Sequence, residues 1–442
     1  MKNLILIAYR NLISHWQQSI ASIISIAAAF FTICTFHGYL TDVEKLFISI
    51  SEQRLMLGQV IIEDRQLMTA AGRAEPWKYS ITPEKQDQIF DILKNESNIQ
   101  NVVRYLRIQG NISNQKTRLI FSGYGYDIQN GLKIRGERWR ANAIYGQNID
   151  QSKVANPIVI GQTLGHLLSC NPVKKRTKSS LVEPVEQNPI NFQCEENPQL
   201  LQLSVSTVHG QMNAMDFSLV GLIDGGFKDV DARFINIGLD QAQQLLDTKD
   251  LSHIAIEFKD KSLTKSTIQN LQKELDKRNL HLSADSWQNH PIYGDNFHRT
   301  MDLLSIFKYF VVSIVLTIAT FSVLNTLIKV IKERTKEIGT FRSLGYFNSQ
   351  IYQLFFYETI GLTALGTFFG AVFSITFATI IRQLGLTYKA GMFVEPSPLT
   401  IAIDLKTYGL HFIYLCILTC IACVFALRGT LKKKVYENFL AE

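Results

Sequence analysis

Charged side chains at helical spacing stand between two long apolar runs of this 442-residue chain. The stretch from Lys329 to Tyr357 reads KVIKERTKEIGTFRSLGYFNSQIYQLFFY. Arg334 precedes Glu337 by three residues, a spacing at which two side chains can pair on one face of a helix. Gly345 can end that helix, because glycine readily takes the left-handed conformation found at helix C-termini. These groups can form ion pairs, either with each other or with a protein that docks on the helix.

A simpler interpretation of the same stretch is a positive anchor at the end of a membrane helix, where Lys and Arg are common. A plain anchor needs no Glu-Ile-Gly followed at fixed spacing by Arg and Gly. The full pattern over residues 334–345, R-x-x-E-I-G-x-x-R-x-x-G, therefore favours a more specific role.

The composition indicates a membrane protein with a sizeable polar part, since 46% of the residues are hydrophobic and 19% are charged. Four uncharged runs of about 20 residues are long enough to cross a bilayer. They cover residues 20–40, 309–328, 359–381 and 407–427. The first run is longer than the apolar core of a signal peptide, so we expect it to remain as a membrane helix.

The net charge of +7 predicts the orientation in the membrane. Its basic surplus lies in three short pieces next to the apolar runs: the N-terminus, the stretch 329–342 and the tail with Lys432–Lys434. By the positive-inside rule these pieces are cytoplasmic, and residues 42–300 are extracytoplasmic. Because the charge is spread over three pieces and forms no groove-sized patch, we expect no nucleic-acid partner.

The polar part of the chain, residues 42–300, contains no spanning run, and short strand-like segments alternate there with helical ones. We expect a large α+β extracytoplasmic domain inserted between the first and second of four transmembrane helices. Its two lobes would comprise about 50–130 plus 250–290, and about 150–248. Residues 1–41 would form the N-terminal segment and first helix, and residues 301–442 a membrane domain with the other three.

Two pairs of small residues bear on packing. Cys170 and Cys194 bracket a polar segment of the soluble domain. In an oxidising compartment we expect them to form a disulfide, which would stabilise the domain by about 3 kcal/mol through chain entropy; two free thiols are the alternative. Gly366 and Gly370 form a G-x-x-x-G surface for close helix contact, either within one subunit or between two.

Patterns for catalysis and metal binding are missing from the sequence. No Gly-Lys dipeptide occurs, so there is no Walker A phosphate loop, and neither G-x-S-x-G nor H-E-x-x-H is present. The nine His pair with no Cys at a metal-ligand spacing. We therefore expect a non-catalytic chain that binds no metal or cofactor itself.

The charged pattern resembles the signature of the FtsX/MacB-like family of ABC permeases, which includes the lipoprotein-releasing type. Segments around Val159, Val220 and Asp240 look like successive landmarks of that family's extracytoplasmic domain. The resemblance implies that the stretch is a coupling helix that docks on a separate ATPase subunit, which would hold ATP and Mg²⁺. The coupling residues that it implies are Lys332, Glu333, Arg334, Glu337, Ile338, Gly339, Arg342 and Gly345.

The same resemblance implies a multi-pass permease of the inner (cytoplasmic) membrane that forms a homo- or heterodimer. Its expected partners are the ABC ATPase, a second permease copy, membrane lipids, and a periplasmic adaptor or lipoprotein carrier. One expected job is export or extraction of a lipid, lipoprotein or hydrophobic compound. The competing job is signalling, in which the moving domain activates an envelope protein or enzyme. A stand-alone membrane sensor is an alternative of another class.

Overall fold

The computed structural model describes residues 10, 16–137, 139, 143–174, 190–195, 199–389 and 393–431. The expected N-terminal segment, most of the polar segment after Cys170, and the basic tail Lys432–Lys434 lie outside these residues. In chain order, the α-helices of the described part are α1 (Trp16–Ser49), α2 (Ala70–Ala74), α3 (Pro83–Asn95), α4 (Ile128–Arg135), α5 (Gln162–Leu167), α6 (Lys228–Asp231), α7 (Leu239–Leu246), α8 (Thr264–Lys277), α9 (Tyr293–Glu333), α10 (Thr335–Ser343), α11 (Asn348–Leu384) and α12 (Leu405–Leu431).

Fourteen strands complete the described structure, and a short π-helix, Ile50–Arg54, continues α1. The strands are β1 (Val60–Asp64), β2 (Ile99–Ser113), β3 (Arg118–Tyr126), β4 (Ala143–Gly146), β5 (Pro157–Gly161), β6 (Cys170–Pro172), β7 (Phe192–Cys194), β8 (Leu200–Ser206), β9 (Met212–Ile223), β10 (Phe234–Gly238), β11 (His253–Phe258), β12 (Leu282–Ser286), β13 (Thr387–Tyr388) and β14 (Ser397–Pro398).

Four helices, α1, α9, α11 and α12, are long and apolar enough to cross a membrane. Each contains one of the four apolar runs seen in the sequence, and a large α/β domain follows the first of them. The predicted fold class is therefore confirmed. At 34 and 41 residues, α1 and α9 are longer than a membrane span requires.

Unit 1, one of two compact parts of the chain, comprises the residues up to Glu44, Met301–Leu386 and the residues from Leu399 onward. In it α11 and α12 run antiparallel, since the Thr363 hydroxyl lies 2.9 Å from that of Thr419 and the Ser374 hydroxyl lies 2.8 Å from that of Tyr408. Apolar side chains of α1, α9, α10, α11 and α12 form one buried cluster. Interhelical hydroxyl pairs thus add hydrogen bonds to close packing.

Unit 2 comprises Lys45–Thr300 together with Thr387–Pro398. Its main sheet follows the order β12-β1-β11-β2-β3-β10-β5-β9-β4, with β8 paired to β2 and β9. Strands β12, β1, β11, β2 and β3, from the first expected lobe, occupy one end of this order. Strands β10, β5 and β9, from the second expected lobe, lie towards the other end. One continuous sheet joins them through the parallel pair β3 and β10, so the division into two lobes stays a prediction.

A short segment of the expected membrane domain lies in unit 2. Residues 387–398, between α11 and α12, were expected to be part of the 301–442 domain. In the structure Phe393 stacks on Phe227 at 5.5 Å between ring centroids and contacts Phe47 at 5.4 Å. The Val394 N–H donates to the Gly226 carbonyl at 3.2 Å. Burial of the Phe393 side chain explains why this loop belongs to unit 2.

Alternation along β2 gives the sheet two different faces. Leu106 and Ile108 are buried in the main apolar core. The residues that alternate with them, Tyr105, Arg107 and Gln109, point to the opposite face. The apolar face is covered by helices α3, α7 and α8, whose buried residues include Ile89, Leu245 and Leu271. The other face is left with a row of polar and aromatic groups.

A disulfide joins Cys170 to Cys194. The two cysteines face each other across the antiparallel pair of β6 and β7, and both are buried. The bond closes the polar segment, most of which lies outside the described residues. The ladder thus places both cysteines at the base of this loop.

Candidate functional site

The charged stretch forms a short helix between two membrane-length helices. Helix α9 ends at Glu333, and Arg334 leaves helical geometry, with φ −97° and ψ 15°. Helix α10 follows and ends before Gly345, whose φ of +90° a residue with a Cβ rarely adopts. The Tyr346 N–H then donates to the Phe341 carbonyl at 3.0 Å, which closes the turn into α11. Glycine at position 345 therefore fixes where α10 stops.

Arg334 is the centre of a buried ion-pair network. Its side chain is almost fully buried, and its Nη1 donates to both carboxylate oxygens of Glu358 on α11 at 3.0 Å. Its Nε donates to Glu337 at 2.9 Å. The guanidinium also lies over the ring of Phe355, 5.1 Å from the centroid. These contacts fasten the start of α10 to α11.

Two further residues of the motif point inward with Arg334. Ile338 is buried in the cluster formed by α1, α9, α10, α11 and α12, and Gly339 next to it is buried as well. Because a buried charge is costly unless paired, and here both partners are in place, the network specifies one position of α10 on its neighbours. These three buried motif residues thus hold the helix and are not accessible to a partner.

The other motif residues are accessible. Lys332, Glu333, Glu337 and Gly345 are exposed, and Arg342 is half-buried. The turn after α10 adds two exposed apolar side chains, with Leu344 exposed to 72% and Phe347 to 74%. Together with the charged residues around them, these two side chains form a candidate interaction surface.

Sequence reasoning missed Leu344, Phe347 and the full role of Glu358. The signal for Glu358 was its position as a lone acid in an otherwise apolar helix, where a buried carboxylate requires a cationic partner. The signal for the turn was a pair of large apolar residues on either side of Gly345 and Tyr346, in a segment that is otherwise polar. Neither signal could be interpreted from the sequence alone, because its meaning depends on how α10 and α11 are arranged in the hairpin.

A comparison with protein families identifies this part of the chain. The family model of the FtsX-like permease C-terminal domain matches residues 309–435. This part of the chain is therefore similar to the C-terminal domain of FtsX-like permeases. The resemblance stated from the R-x-x-E-I-G-x-x-R-x-x-G pattern is confirmed by this match.

Solved structures are similar to this chain only at low levels. The extracellular domain of the noncanonic ABC-type transporter YknZ from Gram-positive bacteria is 12% identical, with a TM-score of 0.29; the alignment covers 52% of this chain and 98% of that one. The periplasmic region of MacB from Actinobacillus actinomycetemcomitans is 12% identical, with a TM-score of 0.32, covering 58% and 98%. No curated protein sequence matches the chain. At these values neither structure bears on what the chain binds.

Gly366 and Gly370 of the permease domain pack against α1 of the same chain. A Cβ on Gly366 would lie 2.7 Å from the Cβ of Ile26, and one on Gly370 would lie 2.7 Å from the Ala27 carbonyl oxygen. Contacts this short leave room for hydrogen only. The surface is thus used within the subunit.

We expect Gly370→Leu to lower the free energy of unfolding by at least about 2 kcal/mol, because the added side chain must push α1 away from α11. Thermal unfolding of the purified protein measures this. Gly409→Leu on α12 is the matched control, since nothing lies within 4 Å of a Cβ there. Equal melting temperatures for the two variants would contradict the close packing of α1 on α11.

No group of three or more His, Cys, Asp or Glu side chains with metal-binding geometry occurs within the described parts of the chain.

Proposed function

We propose that the chain is the permease subunit of an ABC transporter and that α10 with the following turn binds a separate ATPase. The observation that carries this proposal is the division of the motif into a buried half and an exposed half. Arg334, Ile338 and Gly339 fix α10 in place, while charged residues and the apolar pair Leu344 and Phe347 face outward. A rigid element with accessible apolar groups can bind a partner and transmit the force that this partner exerts.

ATP and Mg²⁺ would belong to the ATPase, because the permease sequence has no phosphate loop. In this proposal the docking segment and both chain termini are cytoplasmic, in line with their basic residues. The membrane would be the inner (cytoplasmic) membrane, with unit 2 in the periplasm. The functional unit would contain two permease copies, identical or different, and two ATPases.

Helix length supports mechanical coupling. At a rise of 1.5 Å per residue, the 41 residues of α9 are roughly 60 Å long, about twice the hydrocarbon thickness of a bilayer. A movement imposed at Glu333, the end of α9 next to α10, would therefore reach Tyr293 through one continuous helix. The work would be done outside the membrane, on a lipid, lipoprotein or hydrophobic compound that is exported or extracted, with the help of a periplasmic adaptor or lipoprotein carrier.

Activation of an envelope protein or enzyme is the competing outcome of the same movement. Transport requires cargo that can be crosslinked to the permease during ATP turnover. Signalling requires a protein that is bound and no cargo. A stand-alone sensor requires neither an ATPase nor turnover.

The proposal is tested by purifying the tagged chain from its native membranes and measuring the ATPase recovered with it. We expect Phe347→Asp combined with Leu344→Asp to reduce ATPase affinity by about 30-fold or more, the size of a typical hot-spot loss. Glu337→Arg and Arg342→Glu should weaken recovery through charge reversal.

Leu405→Asp is the matched control, because Leu405 is an exposed leucine at the opposite end of the antiparallel helices α11 and α12. Full ATPase recovery with the double variant would overturn the docking role of this turn. Absence of any ATPase from wild-type preparations would favour the sensor.

A further inference from the structure

A cavity of about 340 Å³ lies within unit 2, on the face of the sheet opposite the main apolar core. Four neighbouring strands, β11, β2, β3 and β10, form its floor. The chain after the π-helix, including Met56 and Leu57, forms a wall, and Ile292 and Tyr293 lie on another side. The volume is at the lower end of the range for small-molecule sites.

Strand register brings distant residues together on this floor. Arg107 of β2 is the register partner of Tyr124 of β3, and Tyr124 in turn is the partner of Asn236 of β10. In the next row, Tyr105 of β2 is the partner of His253 of β11. Because alternate residues of each strand share a face, these side chains form one polar and aromatic surface.

Arg107 gives the cavity a positive charge that the protein does not neutralise. Within the described residues, no carboxylate oxygen lies within 4.0 Å of its guanidinium, which lies 6.0 Å from the ring centroid of Tyr124. A second arginine of the lining, the buried Arg54, is paired with Asp224 at 2.9 Å. At the exposed rim, Asp229 and Arg233 contribute one charge of each sign. The neighbouring Tyr124 and Tyr293 hydroxyls interact with the Arg107 guanidinium but carry no charge, so its positive charge is available to an anion.

His253 supplies a second, independent observation. Its side chain is only 3% exposed and lines the cavity, yet its Nε2 has no hydrogen-bond partner among the described residues. An unpaired buried polar atom is costly, and a ligand in the cavity would relieve that cost. The ring stacks on Tyr105 at 4.7 Å, and the Tyr124 hydroxyl lies 2.6 Å from that of Tyr293. These contacts hold the polar groups of the floor in fixed positions.

The remainder of the lining is apolar. Met56, Leu57, Ile223 and Phe234 are buried there, and Phe227 and Ile292 contribute further apolar area. A fully hydrated anion would leave these groups in contact with water, whereas a ligand with an apolar body would cover them. The shape and chemistry thus combine one anionic contact with an apolar pocket for about ten to fifteen non-hydrogen atoms.

We propose that this cavity binds a small single-chain amphiphile whose carboxylate or phosphate head contacts Arg107 and His253 and whose body lies against Met56 and Phe234. The site goes beyond the proposed ATPase coupling and requires no ATPase for binding. The anionic head could come from a soluble metabolite or from a membrane lipid with one acyl chain. The shared chemistry is an anion on a short apolar body.

Binding is measured by calorimetric titration of the full-length protein held in amphipol, without ATPase, with octanoate and with octyl phosphate as probes. We expect either anion to bind at least tenfold more tightly than octyltrimethylammonium, which has a similar body and the opposite charge. Equal binding of anion and cation, or no binding of either anion, would overturn the proposal without reference to any variant.

Arg107→Gln should weaken binding of the anionic probe by about 10- to 100-fold, the loss expected for a charge-assisted hydrogen bond. Arg107→Lys should weaken it less, because the charge remains and only the planar fork is lost. Arg118→Gln on β3 is the matched control, since this exposed arginine does not line the cavity and should leave binding unchanged.

Wild-type affinity in a folded Arg107→Gln variant would also overturn the proposal; the melting temperature of each variant reports its folding.

Lysophosphatidylglycerol added as a competitor decides the source of the ligand. Displacement of octanoate supports a lipid head at Arg107, and failure to displace supports a soluble anion at the same site. The ATPase-recovery experiment uses other residues, so the two proposals fail separately.

Discussion

Glu358→Ala is expected to lower the free energy of unfolding of unit 1 by about 3 kcal/mol, because it leaves the Arg334 guanidinium buried without its bidentate partner. Removal of one member of a buried ion pair typically costs 3–5 kcal/mol. The lower end applies here, since Glu337 still accepts a hydrogen bond from Arg334. A loss of this size corresponds to roughly 6–12 °C in melting temperature.

Glu337→Ala is the matched control, because it removes the other carboxylate from the same arginine. The side chain of Glu337 is half exposed and its loss leaves Arg334 paired with the buried Glu358, so we expect a cost below about 1 kcal/mol. The two variants are compared by thermal unfolding in the same detergent. If Glu337→Ala destabilises as much as Glu358→Ala, burial of the Arg334–Glu358 pair is not what holds α10 to α11.

A double variant separates the cost of an unpaired charge from the cost of a lost contact. Arg334→Met with Glu358→Leu replaces both ions by apolar side chains, and such replacements in buried positions are often neutral or stabilising. We expect it to melt closer to wild type than Glu358→Ala. If it does so but fails to couple to the ATPase, the ion pair is needed for the position of α10 rather than for stability.

The helices were predictable because their signal is local. Each spanning run is an uninterrupted apolar segment, so its existence follows from adjacent residues without any knowledge of pairing. The same holds for Thr264–Lys277, where Leu271 and Leu275 recur on one face. The motif around Glu337 was recognisable for a similar reason, since all of it lies within twelve residues.

The cavity was not predictable, because its residues are distant in sequence. Arg107, Tyr124, Asn236 and His253 meet only after β10 pairs parallel to β3 and β11 pairs antiparallel to β2. Strand register decides which side chains share a face, and a shift of one residue would send Arg107 to the apolar side. The exposed position of Leu344 and Phe347 was hidden for a related reason, as it depends on a turn whose geometry Gly345 sets.

Arg54→Ala is expected to destabilise unit 2 by about 3–5 kcal/mol at neutral pH, because Asp224 then lies buried and ionised without a cation. Both side chains are almost fully buried, and Arg54 also lies over the ring of Trp139, 5.1 Å from the centroid. Arg299→Ala, which breaks an exposed pair with Asp295, is the control and should cost below about 0.5 kcal/mol.

The destabilisation should depend on pH in a way that identifies Asp224. Burial raises the pKa of this carboxyl above its usual value, while Arg54 and the Gly226 N–H act to lower it. Loss of Arg54 removes one of the opposing effects, so the folded-state pKa of Asp224 must rise further. Between the unfolded and folded pKa the native state holds one more proton than the unfolded state, so stability falls as pH rises through that window.

The variant therefore approaches wild-type stability as the pH is lowered from 8 towards 5, and the difference between the two is largest at the alkaline end. Melting temperatures of both proteins across this range measure it, and the difference cancels contributions from groups that titrate alike in each, such as His253. A difference that stays constant with pH would mean that Asp224 keeps its charge state, and that Arg54 stabilises through packing on Trp139 instead.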